Sequence, residues 1–126
     1  MKKKKIICVM LIFLILLIPS YQINAATNGW KINGQNKYYY INNKKITGSK
    51  KIGKYYYYFD KKGRMVKNKI VKIKGYNYYY QPNGKRCAEK NIQKQIGTKY
   101  YYLNSKSQVN FYKGFVTIDN KKYFFN

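Results

Sequence analysis

Gly114-Phe115-Val116-Thr117-Ile118-Asp119-Asn120-Lys121-Lys122-Tyr123-Phe124-Phe125-Asn126 reads as one complete β-hairpin. An apolar run ends at Ile118. The pair Asp119-Asn120 readily takes the positive φ of a tight turn, and an aromatic run follows at Tyr123-Phe124-Phe125. Working upstream, the same phrase recurs about every 20 residues. The aromatic clusters are Tyr38-Tyr39-Tyr40, Tyr55 to Phe59, Tyr78-Tyr79-Tyr80 and Tyr100-Tyr101-Tyr102. Each follows an aliphatic residue and a turn: Ile32 before Asn33-Gly34, Ile52 before Gly53, Ile73 before Lys74-Gly75, Ile96 before Gly97. A second polar turn succeeds each of these four clusters, at Asn42-Asn43-Lys44, Asp60 to Gly63, Pro82-Asn83-Gly84 and Asn104 to Ser107, and joins one hairpin to the next.

A lone two-stranded hairpin cannot bury enough apolar area to offset its conformational entropy, so units of this kind must stack on their neighbours. The expected fold is therefore all-β, a solenoid of about five stacked antiparallel hairpins. Strands are expected near 30–33, 37–41, 55–59, 70–73, 77–81, 92–96, 99–103, 115–118 and 122–125. Side chains alternate along a strand. Counted from each cluster, one face carries Tyr39 with Ile41, Tyr57 with Phe59, Tyr79 with Gln81 and Tyr101 with Leu103, the expected inner positions. The other carries Tyr38, Tyr40, Tyr56, Tyr58, Tyr78, Tyr80, Tyr100 and Tyr102. This second face is expected to be half exposed, and together with Trp30 it supplies the candidate ligand contacts.

The first residues have another character. Lys2 to Lys5 precede the apolar run Ile6 to Ile18, which has 13 residues where a membrane-spanning helix needs roughly 20. The expectation is a helical signal peptide over 1–25, cleaved after Ile23-Asn24-Ala25, and a mature repeat domain over 26–126 with no stable membrane span. Cys87 is then the only cysteine of the mature part, so no intramolecular disulfide is available. Four of the 27 basic residues belong to the leader and three acids remain, Asp60, Glu89 and Asp119, leaving a formal charge of about +20. Such a chain seeks polyanions.

Gly29-Trp30, Asn33-Gly34, Tyr38-Tyr39-Tyr40 and the polar turn after them resemble the cell-wall-binding repeat of choline-binding and glucan-binding proteins. The unit Gly114 to Asn126 resembles the repetitive oligopeptides at the receptor-binding end of large clostridial toxins. The resemblance implies a β-solenoid that binds choline-bearing teichoic acid, glucans or surface glycans, outside the cell or on its wall. In choline-binding repeats an ammonium ion sits in a cage of Trp and Tyr from successive units. Here the tryptophan after glycine survives as Trp30, with Ile70, Ile92 and Phe115 near the equivalent places and no clear counterpart in the second unit. Tyr38, Tyr56, Tyr78 and Tyr100 replace the other cage tryptophan.

The residues speak against catalysis. No histidine is present to act as base for Cys87. The three acids fall in different repeats, so they neither pair as a glycosidase requires nor form a metal ligand set, and no cofactor is expected. Two classes remain: a binding module for cell-wall polysaccharide, teichoic acid or surface glycan, and a basic structural or nucleic-acid binder stacking bases on the same tyrosines. The tyrosines themselves read equally as packing.

Overall fold

A computed structural model describes residues 26–126; the expected leader, 1–25, lies outside the described residues. Every regular element among the described residues is a strand. Five hairpins follow one another: β1 (Gly29–Asn33) with β2 (Asn36–Ile41), β4 (Gly48–Ile52) with β5 (Tyr55–Phe59), β6 (Lys69–Ile73) with β7 (Tyr76–Tyr80), β8 (Ile92–Ile96) with β9 (Lys99–Leu103), and β11 (Gly114–Ile118) with β12 (Lys121–Phe125). Two short strands, β3 (Lys44–Lys45) and β10 (Val109–Asn110), return along β2 and β9. The bridges Phe59–Met65 and Tyr80–Arg86 do the same after β5 and β7. Each of the first four units is thus a hairpin plus a return segment.

Strand β4 was not among the expected strands. Ser49-Lys50-Lys51 carries no apolar signal, and it is the full register with Tyr55 to Phe59 that holds it extended. All five hairpins close through two-residue turns, whose backbone twist matches that of the strands. Lys74-Gly75 and Asp119-Asn120 have positive φ at both central residues, as a type I′ turn requires. In the first hairpin Asn33 pairs with Asn36, which puts the turn's centre at Gly34-Gln35, one residue later than the sequence suggested.

The return turns are held by side-chain oxygens. Asp60 Oδ1 accepts from the amides of Lys62 (2.8 Å) and Arg64 (2.9 Å). Asn104 Oδ1 accepts from Lys106 (2.9 Å) and Gln108 (3.0 Å) in the equivalent place. The hydrogen bonds of Asp60 outweigh the opposing effect of burial and hold its carboxyl below the usual range. One unit is tied to the next by backbone bonds from Met65 N to Lys37 O (2.7 Å) and from Arg86 N to Tyr56 O (2.8 Å). Close approach accompanies them: a Cβ at Gly63 would lie 2.9 Å from Lys45 Cβ, and one at Gly84 would lie 2.5 Å from Met65 Sδ.

The registers fix which positions are equivalent, and they correct the expected faces. Opposite Gly29, Gly48, Lys69, Ile92 and Gly114 stand Tyr40, Phe59, Tyr80, Leu103 and Phe125. The last four of these are fully buried. Phe59 and Leu103 were expected inside. Tyr80, and Tyr102 one position earlier in its hairpin, were expected half exposed and are core residues instead. Ile41, expected inside, is exposed. For Tyr80 and Ile41 the error lies in phase: the triplets begin at different distances from the turn, third position in β2 and β7 but second in β9, so counting from the first tyrosine inverts the faces between units. Tyr102 lies on the face opposite Leu103, as expected, and is buried because that face is covered too, with Tyr123 of the last hairpin 5.5 Å away. The Tyr80 hydroxyl is buried without a hydrogen-bond partner, and burial pushes its pKa up.

Between the third and fourth hairpins Tyr79, Cys87, Leu103 and Val109 form a core, with Ile70, Ile96 and Tyr101 packed against it. Cys87 behaves there as a small apolar residue. Its thiol donates to Glu89 Oε2 at 3.1 Å, and the Glu89 carboxylate pairs with Lys94. Burial pushes the Cys87 thiol up. The hydrogen bond from Lys94, followed by that from Cys87, holds Glu89 down.

Two expectations follow. Gly63 (φ 75°) has no room for a Cβ, whereas Gly34 (φ 58°) has open space around it. Gly63→Ala should therefore cost about 2–3 kcal/mol and Gly34→Ala about 1 kcal/mol in urea unfolding, the difference being the unit-to-unit contact. Cys87, buried and protonated, should react with a thiol-specific disulfide reagent at neutral pH only as fast as the protein opens. Rapid stoichiometric reaction without denaturant would show an activated thiol instead.

Candidate binding sites between the hairpins

The equivalence set by the registers decides which aromatic residues reach solvent. Tyr56 and Tyr100 occupy the same position in the second and fourth hairpins, and both are exposed. Lys37, Asn77 and Lys122 stand there in the other three. Of the remaining candidates, Trp30, Tyr38, Tyr40, Tyr58 and Tyr78 are half-buried, while Tyr80 and Tyr102 lie in the core. Trp30 packs edge-on against Tyr39 and Tyr57, at 5.2 and 4.9 Å between ring centroids, and is tilted 5.9 Å from Phe59. It covers the aromatic side of the next hairpin.

The same registers revise the cage positions read from the sequence. The equivalents of Trp30 are Ser49, Ile70, Gln93 and Phe115, so Gln93 replaces Ile92, and Ser49 is the counterpart that the second unit was missing. Tyr38 and Tyr78 leave the other cage position to Lys37 and Asn77, which precede them by one residue. Gln93 is engaged elsewhere, donating through Nε2 to Phe124 O at 2.6 Å.

The chain's own cations sit over these rings. Lys37 Nζ lies 4.5 Å from the Trp30 ring centroid, Lys45 Nζ 4.3 Å from Tyr38, and Lys85 Nζ 3.7 Å from Tyr55. Arg86 Cζ lies 4.2 Å from the Tyr56 centroid and 4.7 Å from that of Tyr78. All are within the roughly 6 Å over which the ring quadrupole attracts a cation. The ring faces are thereby partly satisfied from within.

Two clefts flank the exposed tyrosines. One, of about 370 Å³, brings Tyr56 and Lys54 of the second hairpin together with Arg86, Lys90 and Lys106. The other, of about 330 Å³, lies between Tyr100, Tyr101, Phe111 and Tyr112, with Lys99 and Lys113 at its sides. Tyr101 meets Phe111 edge to face at 5.5 Å. Phe111 and Tyr112 were missed in the sequence because they stand in a connecting segment outside the repeated phrase. Phe115 and Phe124 form a further exposed pair, 5.0 Å apart, on the fifth hairpin. The carboxylates do not converge: Asp60 pairs with Arg64 at 2.7 Å, Glu89 with Lys94, and Asp119 sits in the last hairpin's turn. No group of three metal-ligating side chains occurs among the described residues, and no helix there is long and apolar enough to cross a membrane.

Comparison with known proteins agrees with this architecture. Residues 46–90, spanning the second and third hairpins, match the choline-binding repeat family. No curated protein matches the chain. Choline binding protein F of Streptococcus pneumoniae is similar in structure, with a TM-score of 0.54 and 24% identity over 78% of this chain and 35% of that one. The pneumococcal cell wall endolysin of phage Cp-1, solved with choline, gives a TM-score of 0.57 and 24% identity over 79% of this chain and 29% of that one. A choline-binding domain of Streptococcus pneumoniae gives 0.54 and 25%, over 69% of this chain and 99% of that domain. The chain thus spans about a third of the length of the first two proteins. Over residues 46–90, then, the chain is similar to the choline-binding repeat.

Proposed function

We propose that the chain is a secreted, non-catalytic module that attaches to cell-wall polymers or surface glycans, with 1–25 as its cleaved leader and 26–126 as a solenoid of stacked hairpins. The single observation behind this reading is the exposed aromatic cleft at Tyr100, Phe111 and Tyr112, with lysines on both sides. Ring faces of this kind stack on the apolar faces of sugar rings, while Lys99 and Lys113 reach hydroxyl or phosphate oxygens. The match of 46–90 to the choline-binding repeat supports the wall as the setting, and so does the similar phage Cp-1 cell wall endolysin solved with choline. The cations over Trp30, Tyr38, Tyr55 and Tyr56 favour hydroxylated or anionic groups over a free ammonium ion.

Sedimentation with purified walls separates shape from charge. Attraction through the net field is screened over about 8 Å at physiological ionic strength. A component resistant to roughly 0.15 M salt is expected, and Tyr100→Ala should weaken it about ten-fold, equivalent to about 1.4 kcal/mol, with circular dichroism unchanged. Tyr80→Phe should leave it intact, because Tyr80 is core. Binding abolished by salt alone and indifferent to Tyr100 would leave a basic structural or polyanion-binding repeat, nucleic acid included. Zymograms against walls should stay blank; clearing that vanished with Glu89→Gln would establish an enzyme instead.

A further inference from the structure

We propose that the cleft beside Tyr56 is an anion site for phosphate groups, with Arg86 as the binding cation and Tyr56 and Tyr78 as its mounts. The wall-polymer reading above supplies only the natural source of the phosphate; the site itself stands on its own geometry.

Arg86 lies in the return segment after β7, bridged to Tyr80, where Lys45, Met65 and Val109 stand in the other units. Its amide bond to Tyr56 O, at 2.8 Å, fixes it at the junction of the second and third hairpins. The guanidinium carbon is 4.2 Å from one ring centroid and 4.7 Å from the other. An aromatic face offers a cation attraction but no lone pair in the guanidinium plane. The N–H donors at the edge of that plane are what Arg has left for a ligand, and their fork matches two oxygens of a phosphate.

No carboxylate of the chain answers them. Among the described residues the ion pairs are Arg64–Asp60 and Lys94–Glu89, so Glu89, which lines an adjoining cleft with Arg86, is already engaged. The cleft of about 370 Å³ instead adds Lys54, Lys90 and Lys106 from three successive units, together with the hydroxyl-bearing Ser105 and Ser107. Four cations and no carboxylate in a cleft of this size suit a phosphate monoester or diester better than a single carboxylate. An ammonium group entering here would have to displace Arg86 from both rings.

The test is titration calorimetry of the protein with inorganic phosphate at constant ionic strength set by chloride. Saturable binding is expected. Arg86→Met, which copies Met65 of the preceding unit and so should fold, is expected to weaken it at least about ten-fold, whereas Lys50→Gln, an equal loss of charge on exposed β4, should change it less than about two-fold. If the Met variant does not fold, Arg86→Lys keeps the charge without the fork and should still lose several-fold. Absence of saturation, or equal affinity in folded Arg86→Met, would overturn the site. Glycerol-phosphate polymer and phosphate-free peptidoglycan form the second arm, and Arg86→Met should weaken only the former. A wild type that saturates with inorganic phosphate yet binds neither polymer keeps the anion site and removes the wall-polymer reading.

Discussion

A two-stranded hairpin has no interior, and the rest of this structure follows from that constraint. Each unit after the first has one side chain at the end of its second strand that is covered from outside: Phe59, Tyr80, Leu103 and Phe125 are all fully buried, whereas Tyr40 of the first is half-buried. The cover comes from the adjoining units. Trp30 lies over Tyr57 and Phe59, β10 packs on β7, and β12 packs on β9. Such packing brings successive units close together: a Cβ at Gly63 would strike Lys45 Cβ and approach Ile46 O, and one at Gly84 would meet the flexible end of the Met65 side chain. Burying an aromatic side chain stabilises by roughly 2–3 kcal/mol, too little alone to offset the ordering of a unit of about 20 residues. The units therefore hold one another, and no single hairpin is a folding domain.

The same constraint explains which parts of the fold were legible in the sequence. Turns and aromatic runs are local signals, so the number of hairpins, their order and nearly all their strands could be read directly. Phase is not local. It is counted from the turn, and the tyrosine triplets slide by a residue relative to it, as Tyr78 to Tyr80 and Tyr100 to Tyr102 show. An all-tyrosine run carries no polar residue to mark which face is wet, and Tyr80 was consequently placed outside. Strand β4 was silent for the converse reason. Its partner is aromatic throughout, so Ser49, Lys50 and Lys51 need contribute only backbone.

The candidate site was legible in kind but less so in its members. Tyr56 and Tyr100 could be named from the repeat because they are part of it. Arg86, Phe111 and Tyr112 could not, since Arg86 stands in a return segment and the other two in a connection, outside the aromatic phrase, and only the fold brings them against the repeated tyrosines. Arg86 reaches Tyr56, 30 residues earlier in the chain, from a return segment whose turn recurs but whose residue at this place varies, being Lys45, Met65 and Val109 in the other units. In a repeat protein the unvarying positions build the scaffold, and what distinguishes one junction from another is free to lie in the connections.

The cations make that distinction chemical. Each contact between a cation and a ring at an exposed site is worth roughly 0.5–1 kcal/mol, so the lysines and Arg86 help to hold the tyrosines in place. They also occupy ring faces that a ligand's cation would otherwise seek. What the surface then offers differs from junction to junction. Beside Tyr56 it is a guanidinium edge ringed by lysines, and beside Tyr100 it is the aromatic cleft of Phe111 and Tyr112. The two tyrosines hold the same register position two hairpins apart, so one scaffold repeat spaces an anion-seeking junction from a ring-stacking one. A polymer alternating sugar rings with phosphates could satisfy both at once. Two weak contacts joined by such a chain reinforce each other through effective concentration, without either being strong alone.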